Sequence, residues 1–284
     1  MSNVIEKKVD FIMTIEVNNA NPNGDPLAGN MPRTDSFGYG EISDVCIKRK
    51  IRNRMQDKGY EIFVKSNEKS DDGFTSLEKR YSSVVDKKAT DEEAYNLCCE
   101  TWLDVRSFGQ VITYDKKAVG IRGPVSISIA KSLTPVDITT MQITKSVNSM
   151  EKEGGGKSSD TMGSKHYVNH AIYVVNGAVN VNFAKKNKFT DDDLAVLKEC
   201  LQELFINDSS SARPDGSMIV RDIFWFVHDC EIGNVSSGKI KELLEFDIPE
   251  LEDQDYKSYN IRLNEEKLKE YEEKGLKVEY LTGI

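Results

Sequence analysis

Five cations crowd one short stretch of this chain. Lys48, Arg49, Lys50, Arg52 and Arg54 fall in the opening turns of a predicted helix, directly after a loop rich in Asn, Gly and Pro. A loop broken by turn formers leaves backbone amides free, and a helix N-terminus beside it attracts negative charge, so the pair is suited to an anion, phosphate above all. Alone, such a helix would be read as a solvated basic face. Other residues with chemical potential are sparse. The histidines are His166, His170 and His228, each in or beside a predicted strand, where a structural role is expected. The run Glu151 to Ser158 ends in Gly-Lys-Ser, but the first glycine of a phosphate-binding G-x-x-x-x-G-K-[ST] loop would fall at Glu151, so nucleotide hydrolysis is rejected. Cys46, Cys98, Cys99, Cys200 and Cys230 are odd in number and form no CxxC pair, which points to reduced thiols rather than disulfides or zinc.

The elements that must position these groups can be read from periodicity. Val9, Phe11, Met13, Ile15 and Val17 alternate with mostly polar residues, the pattern of a half-buried strand. Asn-Pro and Asn-Gly stop it. Ser43 or Asp44 then caps the basic helix, whose buried stripe is Ile47, Ile51 and Met55. Lys48 and Arg52 flank one side of that stripe and are expected at the surface; Lys50 and Arg54 flank the other. Residues 60–65 read as a short strand. Thr90 with Glu93 makes a capping box for a helix through Leu103, with Trp102 and Leu103 as core anchors. Val125, Ile127 and Ile129 alternate as a strand introduced by Ile121-Arg122-Gly123-Pro124. Residues 131–165 depart from alternation and read as a protruding flexible hairpin. Residues 166–176 and 178–184 are predicted strands joined at Asn176-Gly177, a hairpin signal. Thr190 and three following acids open an apolar-faced helix, residues 219–227 form an interior strand, and helices are expected over 236–246 and 264–274, the second ended by Gly275.

In order, the strong elements are strand, basic helix, strand, strand, helix, strand, with large insertions. The predicted class is therefore α+β, a modified ferredoxin-like (RRM-like) βαββαβ palm in one domain, 1–284. Aromatic residues of the kind that stack bases on an RRM sheet are missing, so contact through backbone phosphates is the better fit. The chain of 284 residues carries 38 basic and 47 acidic side chains, a net charge of -9 that argues against a wholly basic binding surface. The acids crowd the segment from Glu242 onward, whereas residues 45–58 hold six basic side chains against Asp57 alone. No apolar run approaches the ~20 residues of a membrane span and no signal segment opens the chain, so a cytoplasmic protein with no membrane partner is expected.

The run TIEVNNANPNGDPLAGNMPRTDSFGYGEISDVCIKRKIRN resembles the start of the type I-C CRISPR-associated backbone subunit, of the RAMP superfamily, which polymerises along CRISPR RNA in the Cascade effector. WLDVRSFGQV, GIRGPVSISIAKS, TMGSKHYVNHAIY and the passage ending in VHDCEIGN extend the resemblance from Val9 to about Asn234, in the family's order. It implies a palm with finger insertion near 59–120, a thumb near 131–165 that folds over RNA and touches the next subunit, and an acidic extension, 242–284. It also implies RNA contacts by Asn21, Asn23, Arg33, Lys48, Arg49, Arg52, Arg122, Lys165 and His166, with Met150 and Met162 in the thumb. The implied partners are CRISPR RNA, target DNA through the guide, neighbouring copies, other Cascade subunits and a recruited helicase-nuclease. No cofactor, metal or catalytic residue is expected. The rival readings are a generic single-strand binder and a metal-dependent endoribonuclease, since related type III subunits carry a cutting aspartate in the loop where Asp25 and Asp35 stand; turn formation explains both residues equally well.

Overall fold

In the computed structural model, residues 3–115, 117–144, 162–250 and 255–284 are described. The first strand, β1 (Val9–Ala20), gives way to a loop whose small pieces are β2 (Gly24–Asp25) and β3 (Met31–Pro32). Next come β4 (Tyr39–Ile42) and the basic helix α1 (Asp44–Asp57), which Ser43 caps by accepting from the Cys46 N–H. An inserted unit holds α2 (Leu77–Ser82), α3 (Asp91–Thr101), α4 (Leu103–Phe108), β5 (Gly109–Ile112) and β6 (Val119–Arg122). Three short strands, β7 (Val125–Ile127), β8 (Ala130–Pro135) and β9 (Ile138–Thr144), then precede the long β10 (Met162–Val179). Helices α5 (Val181–Asn187) and α6 (Asp191–Gln202) lead to β11 (Met218–Val227). The last segment contains α7 (Ser237–Lys241), β12 (Leu244–Glu245), β13 (Arg262–Leu263), α8 (Glu265–Glu272) and β14 (Lys277–Thr282).

The main sheet is antiparallel, in the order β14-β11-β1-β10-β8-β4, with β7 and β9 also paired to β10. Register defines its two ends: Val9 faces Val179 and Val227 at one, Ala20 faces Val168 at the other. One face carries Phe11, Met13, Ile15 and Val17 against Ile47, Ile51 and Met55 of α1 and Leu197 and Leu201 of α6. The strand expected to be half-buried, β1, is instead buried on both faces, because the segment after β11 folds back over the other face. There Ile12, Phe224 and Phe226 meet Ile240, Leu243, Leu263 and Leu268. That acidic segment also adds β14 beside β11, making the latter an interior strand. Residues 63–121 enclose an apolar core of their own, centred on Phe63, Tyr81, Cys98 and Trp102, with the Phe63 and Trp102 rings 4.6 Å apart.

Several local expectations are corrected. Asn176-Gly177 makes no hairpin: β10 runs straight through it, because a Cβ at Gly177 would lie 2.0 Å from the Phe11 ring, so the glycine makes room for that aromatic side chain rather than for a turn. Residues 178–184 are therefore not a second strand; Asn180 ends β10 and caps α5, accepting from the Phe183 N–H. Residues 60–65 are not a strand either, since the Phe63 and Val64 amides donate to the Asp104 carboxylate, at 2.7 and 3.1 Å, in place of a neighbouring strand. The helix from Thr90 stops at Thr101, and Trp102, in extended conformation, separates it from α4. The helix expected over 236–246 is only α7. Residues 131–144 hold most of β8 and all of β9, so the region expected as an irregular hairpin has a regular β9–β10 stem; residues 145–161 lie outside the described residues. Among the described residues no helix is long and apolar enough to cross a membrane.

Candidate nucleic-acid interface

The loop after β1 is held by its own side chains. Asn21, buried, donates from Nδ2 to the Asn30 carbonyl at 2.7 Å, and Asn23 Oδ1 accepts from the Ser43 N–H at 2.9 Å, tying the loop to the first turn of α1. Arg33 Nη2 lies 3.5 Å from Asp25 Oδ1. Asp25 caps a short turn by accepting from the Leu27 N–H, and Asp35 accepts from the Phe37 and Tyr39 amides while its other oxygen meets Lys131 Nζ at 2.5 Å. The hydrogen bond from Lys131, with those two amides, holds the Asp35 carboxyl below its ordinary range. Both aspartates are thus spent on turn geometry. Lys165 and His166 stand at the same end of the sheet, on β10 just beyond its Val168–Ala20 pairing and opposite Met141 and Thr140 of β9. His166 Nδ1 is 2.9 Å from the Thr140 hydroxyl.

The cations of α1 do not form one exposed patch. Lys48 pairs with Asp44 at 2.9 Å and keeps partial exposure. Arg52, expected at the surface, instead donates from Nε to Asp104 Oδ2 at 2.8 Å, and Asp104 is wholly buried. A buried carboxylate that also receives two amides needs that guanidinium, so Arg52 serves the junction with the inserted unit whatever else it does. Lys50, also expected on a flank, is 4% exposed and paired with Asp208. Arg54 is 2.7 Å from Glu203, and Lys58 reaches Glu199 and Glu203, binding α1 to α6. Arg49 donates to the Val64 carbonyl at 2.6 Å, and burial, then its neighbour Arg52, pulls its pKa below the ordinary value.

Packing links two of the predicted contact residues, Arg52 and Arg122, through the inserted unit. Lys48 and Arg52 are one turn apart; the Arg52 guanidinium lies 5.0 Å from the Phe108 ring centre; and Gly109, the next residue, pairs with Arg122. Arg122 is exposed, stacked 6.0 Å from Phe183, at the end of the sheet opposite the Asn21–Arg33 loop. The predicted contact residues thus divide into a loop cluster at one end, Lys48, Arg49 and Arg52 on the helix, and Arg122 at the other. Met150 lies outside the described residues, and Met162 begins β10.

Sequence reasoning missed a cleft of about 490 Å³ on the next stripe of α1, lined by Arg49, Lys50 and Asn53 with Ser66, Asp208 and Arg213. Asn53 and Arg213 are 160 positions apart, and no local pattern brings them together. Two of the histidines are held by carboxylates of β1. His228, fully buried, accepts from the Asn234 N–H at Nδ1 and donates from Nε2 to Asp10 at 2.8 Å; His170 Nε2 meets Glu16 at 3.1 Å. Among the described residues no three His, Cys, Asp or Glu side chains form a group able to hold a metal ion.

Comparison with known proteins agrees in one direction. The family described as "CRISPR-associated protein Cas7" matches residues 7–264. A "CRISPR-associated protein Cas7" of Haloferax volcanii is 26% identical over 262 residues, covering 83% of this chain and 74% of its own. A chain of a "CRISPR RNA-guided surveillance complex, pre-nicking" superposes with a TM-score of 0.50 at 13% identity, covering 77% of this chain and 78% of that one. Another, of a "CRISPR RNA-guided surveillance complex", gives a TM-score of 0.44 at 13% identity, with 77% and 68% covered.

Proposed function

The chain belongs to the CRISPR-associated Cas7 family, and from that premise we propose that it is the backbone subunit of a type I-C Cascade complex, assembling head to tail along CRISPR RNA. The observation that carries this reading is the family match across residues 7–264. The strand order β11-β1-β10 with β7 and β8 beyond, and helices α1 and α6 on one face, supports a ferredoxin-like palm. Residues 59–120 act as its finger and 131–165 as its thumb. The covered second face supports recognition by phosphate contacts, because bases have no open sheet on which to stack.

RNA in this reading runs from the Asn21–Arg33 loop with Lys165 and His166, along Lys48, Arg49 and Arg52, to Arg122. Protein holds the backbone while base pairing with target DNA reads sequence. Neighbouring copies, other Cascade subunits and a helicase-nuclease are the partners, in the cytosol. The subunit is not a nuclease: Asp25 and Asp35 are engaged in the turns they shape, which supports a positioning loop over a metal site. Electron microscopy of the purified protein with guide RNA tests the assembly. Regularly spaced filaments whose length follows the RNA are expected; isolated single subunits on RNA would overturn it.

A further inference from the structure

The hairpin that follows β3 holds an aromatic ring out to solvent on a tightly restrained backbone. Residues 34–40 close around the turn from Asp35 to Gly38. Thr34 bridges Gly40, the Asp35 N–H donates to the Tyr39 carbonyl at 2.9 Å, and Gly38, at φ +84°, takes the left-handed conformation that the turn requires. Asp35 Oδ1 accepts from the Phe37 and Tyr39 amides. The tip is also tied to β8 and the residue after it, since the Gly40 N–H donates to the Ser132 hydroxyl at 2.8 Å and the Val136 N–H to the Gly38 carbonyl at 2.9 Å. Phe37, at the summit, is nonetheless 79% exposed. A ring held on so restrained a backbone loses little freedom when something packs against it.

Single exposed apolar side chains are common, and it is the surroundings of this one that identify its occupant. Lys131, 53% exposed, pairs with Asp35 and lies 5.4 Å from the centre of the Tyr39 ring. Arg33, partly exposed, precedes the hairpin. Val136 leads through Asp137 to β10, where the Asn169 N–H donates to the Asp137 carbonyl at 3.0 Å, close in the strand to Lys165 and His166. Rings interleaved with cations suit a single-stranded nucleic acid, which offers a π-face and a phosphate at every step. A protein partner fits less well, because one aromatic side chain offers at most about 250 Å² of contact, against roughly 800 Å² per partner in a standard interface.

We propose that Phe37 is a stacking platform for an unpaired nucleobase of the RNA strand whose phosphates are held at this end of the molecule. The inference rests on the guide-binding reading above and adds a base contact to it. Every base has a π-face, so stacking contributes affinity without reading sequence. With the sheet face covered, that role passes to the hairpin beside it.

The test is binding of the full chain to a mixed-sequence single-stranded RNA and to an abasic ribose-phosphate strand of the same length, across a salt series. Phe37→Ala is expected to weaken RNA binding about fivefold or more, with an unchanged salt slope because no charge is lost, and to bind the abasic strand as the parent does. Phe37→Trp is expected to keep RNA affinity and to lose fluorescence when RNA binds; Trp102 and Trp225 are each 2% exposed, so the loss reports the tip. Leu27, 98% exposed in the preceding turn, has no π-face, and Leu27→Ala should bind as the parent does. Thermal transitions equal to the parent's confirm that the variants fold. Parental RNA affinity in Phe37→Ala, equal weakening on the RNA and abasic strands, an equal loss in Leu27→Ala, or Phe37→Trp emission unmoved by RNA overturns the proposal. If the parent binds RNA with ordinary salt dependence in those cases, only the stacking assignment has failed; a parent that binds no RNA at all removes the guide-binding reading too.

Discussion

Arg52 and Lys48 stand one turn apart on α1 yet differ in what they hold in place. Removing the Arg52 guanidinium leaves Asp104 charged, buried and short of its partner, a loss of about 3 kcal/mol. Arg52→Ala should therefore lower the thermal transition clearly, whereas Lys48→Glu should leave it nearly unchanged, weaken guide binding and flatten its salt dependence by roughly one counterion. Calorimetry and a salt titration on each variant check both halves; equal transitions for the two proteins would contradict the ion-pair argument. Glu16 offers a second handle. Burial alone would raise its pKa, but hydrogen bonds from His170 and Arg221 outweigh that and bring it from 4.5 to about 2. Because the folded value is depressed, the stabilisation is present in full above about pH 4.5 and is lost as pH falls toward 2, on the order of 3 kcal/mol at most. Glu16→Gln should be less stable at neutral pH and should flatten the loss of stability over that acid window, measured by denaturant titration at successive pH values.

At the scale of the element, β10 shows how a residue pair can mislead. Asn-Gly between apolar runs is a strong local hairpin signal. Here the glycine lies under Phe11, whose ring in turn stacks on Trp225 at 5.6 Å and 12°. Gly177→Ala should destabilise by about 2 kcal/mol or more through overpacking, and Phe11→Leu in the same chain should recover part of that loss. A double-mutant cycle showing no coupling would mean that the glycine serves another purpose. The β9–β10 stem makes a different prediction. Its strands pair from Ile138–Val168 to Thr144–Met162, independently of the residues they connect, so deleting Asn148 to Ser158 should spare folding. The same deletion should impair regular filament formation on guide RNA, and unchanged subunit spacing in micrographs would remove the thumb assignment.

For the whole molecule, the acidic segment after Glu242 is structural despite its charge. It covers Ile12, Phe224 and Phe226 and completes the sheet with β14. A chain ending at Lys241 should expose this apolar face and elute as aggregate rather than as a single species in size-exclusion chromatography. The covered face also bears on chemistry. With the sheet closed and both loop aspartates engaged in turns, incubation with guide, complementary RNA and Mg²⁺ should leave both strands intact. Cutting that disappears in Asp25→Ala or Asp35→Ala would hand the function to the endoribonuclease reading.

Much that governs this protein is local and therefore legible in its amino-acid order. The Ser43, Thr90 and Thr190 caps, the Ile47-Ile51-Met55 stripe and the alternation that makes β1 depend on neighbours within a few residues. The long motifs that resemble the backbone subunit are likewise properties of the chain, and the family match agrees with them. What only the tertiary structure decided is who meets whom across distance. A cation on a helix looks the same in sequence whether it faces solvent or a buried acid; Arg52 meets Asp104 and Lys50 meets Asp208 because folding places those carboxylates there. The cover over the second sheet face and the Asn53–Arg213 cleft arise in the same way. Periodicity reports which side of an element is apolar, but only packing determines what lies against it.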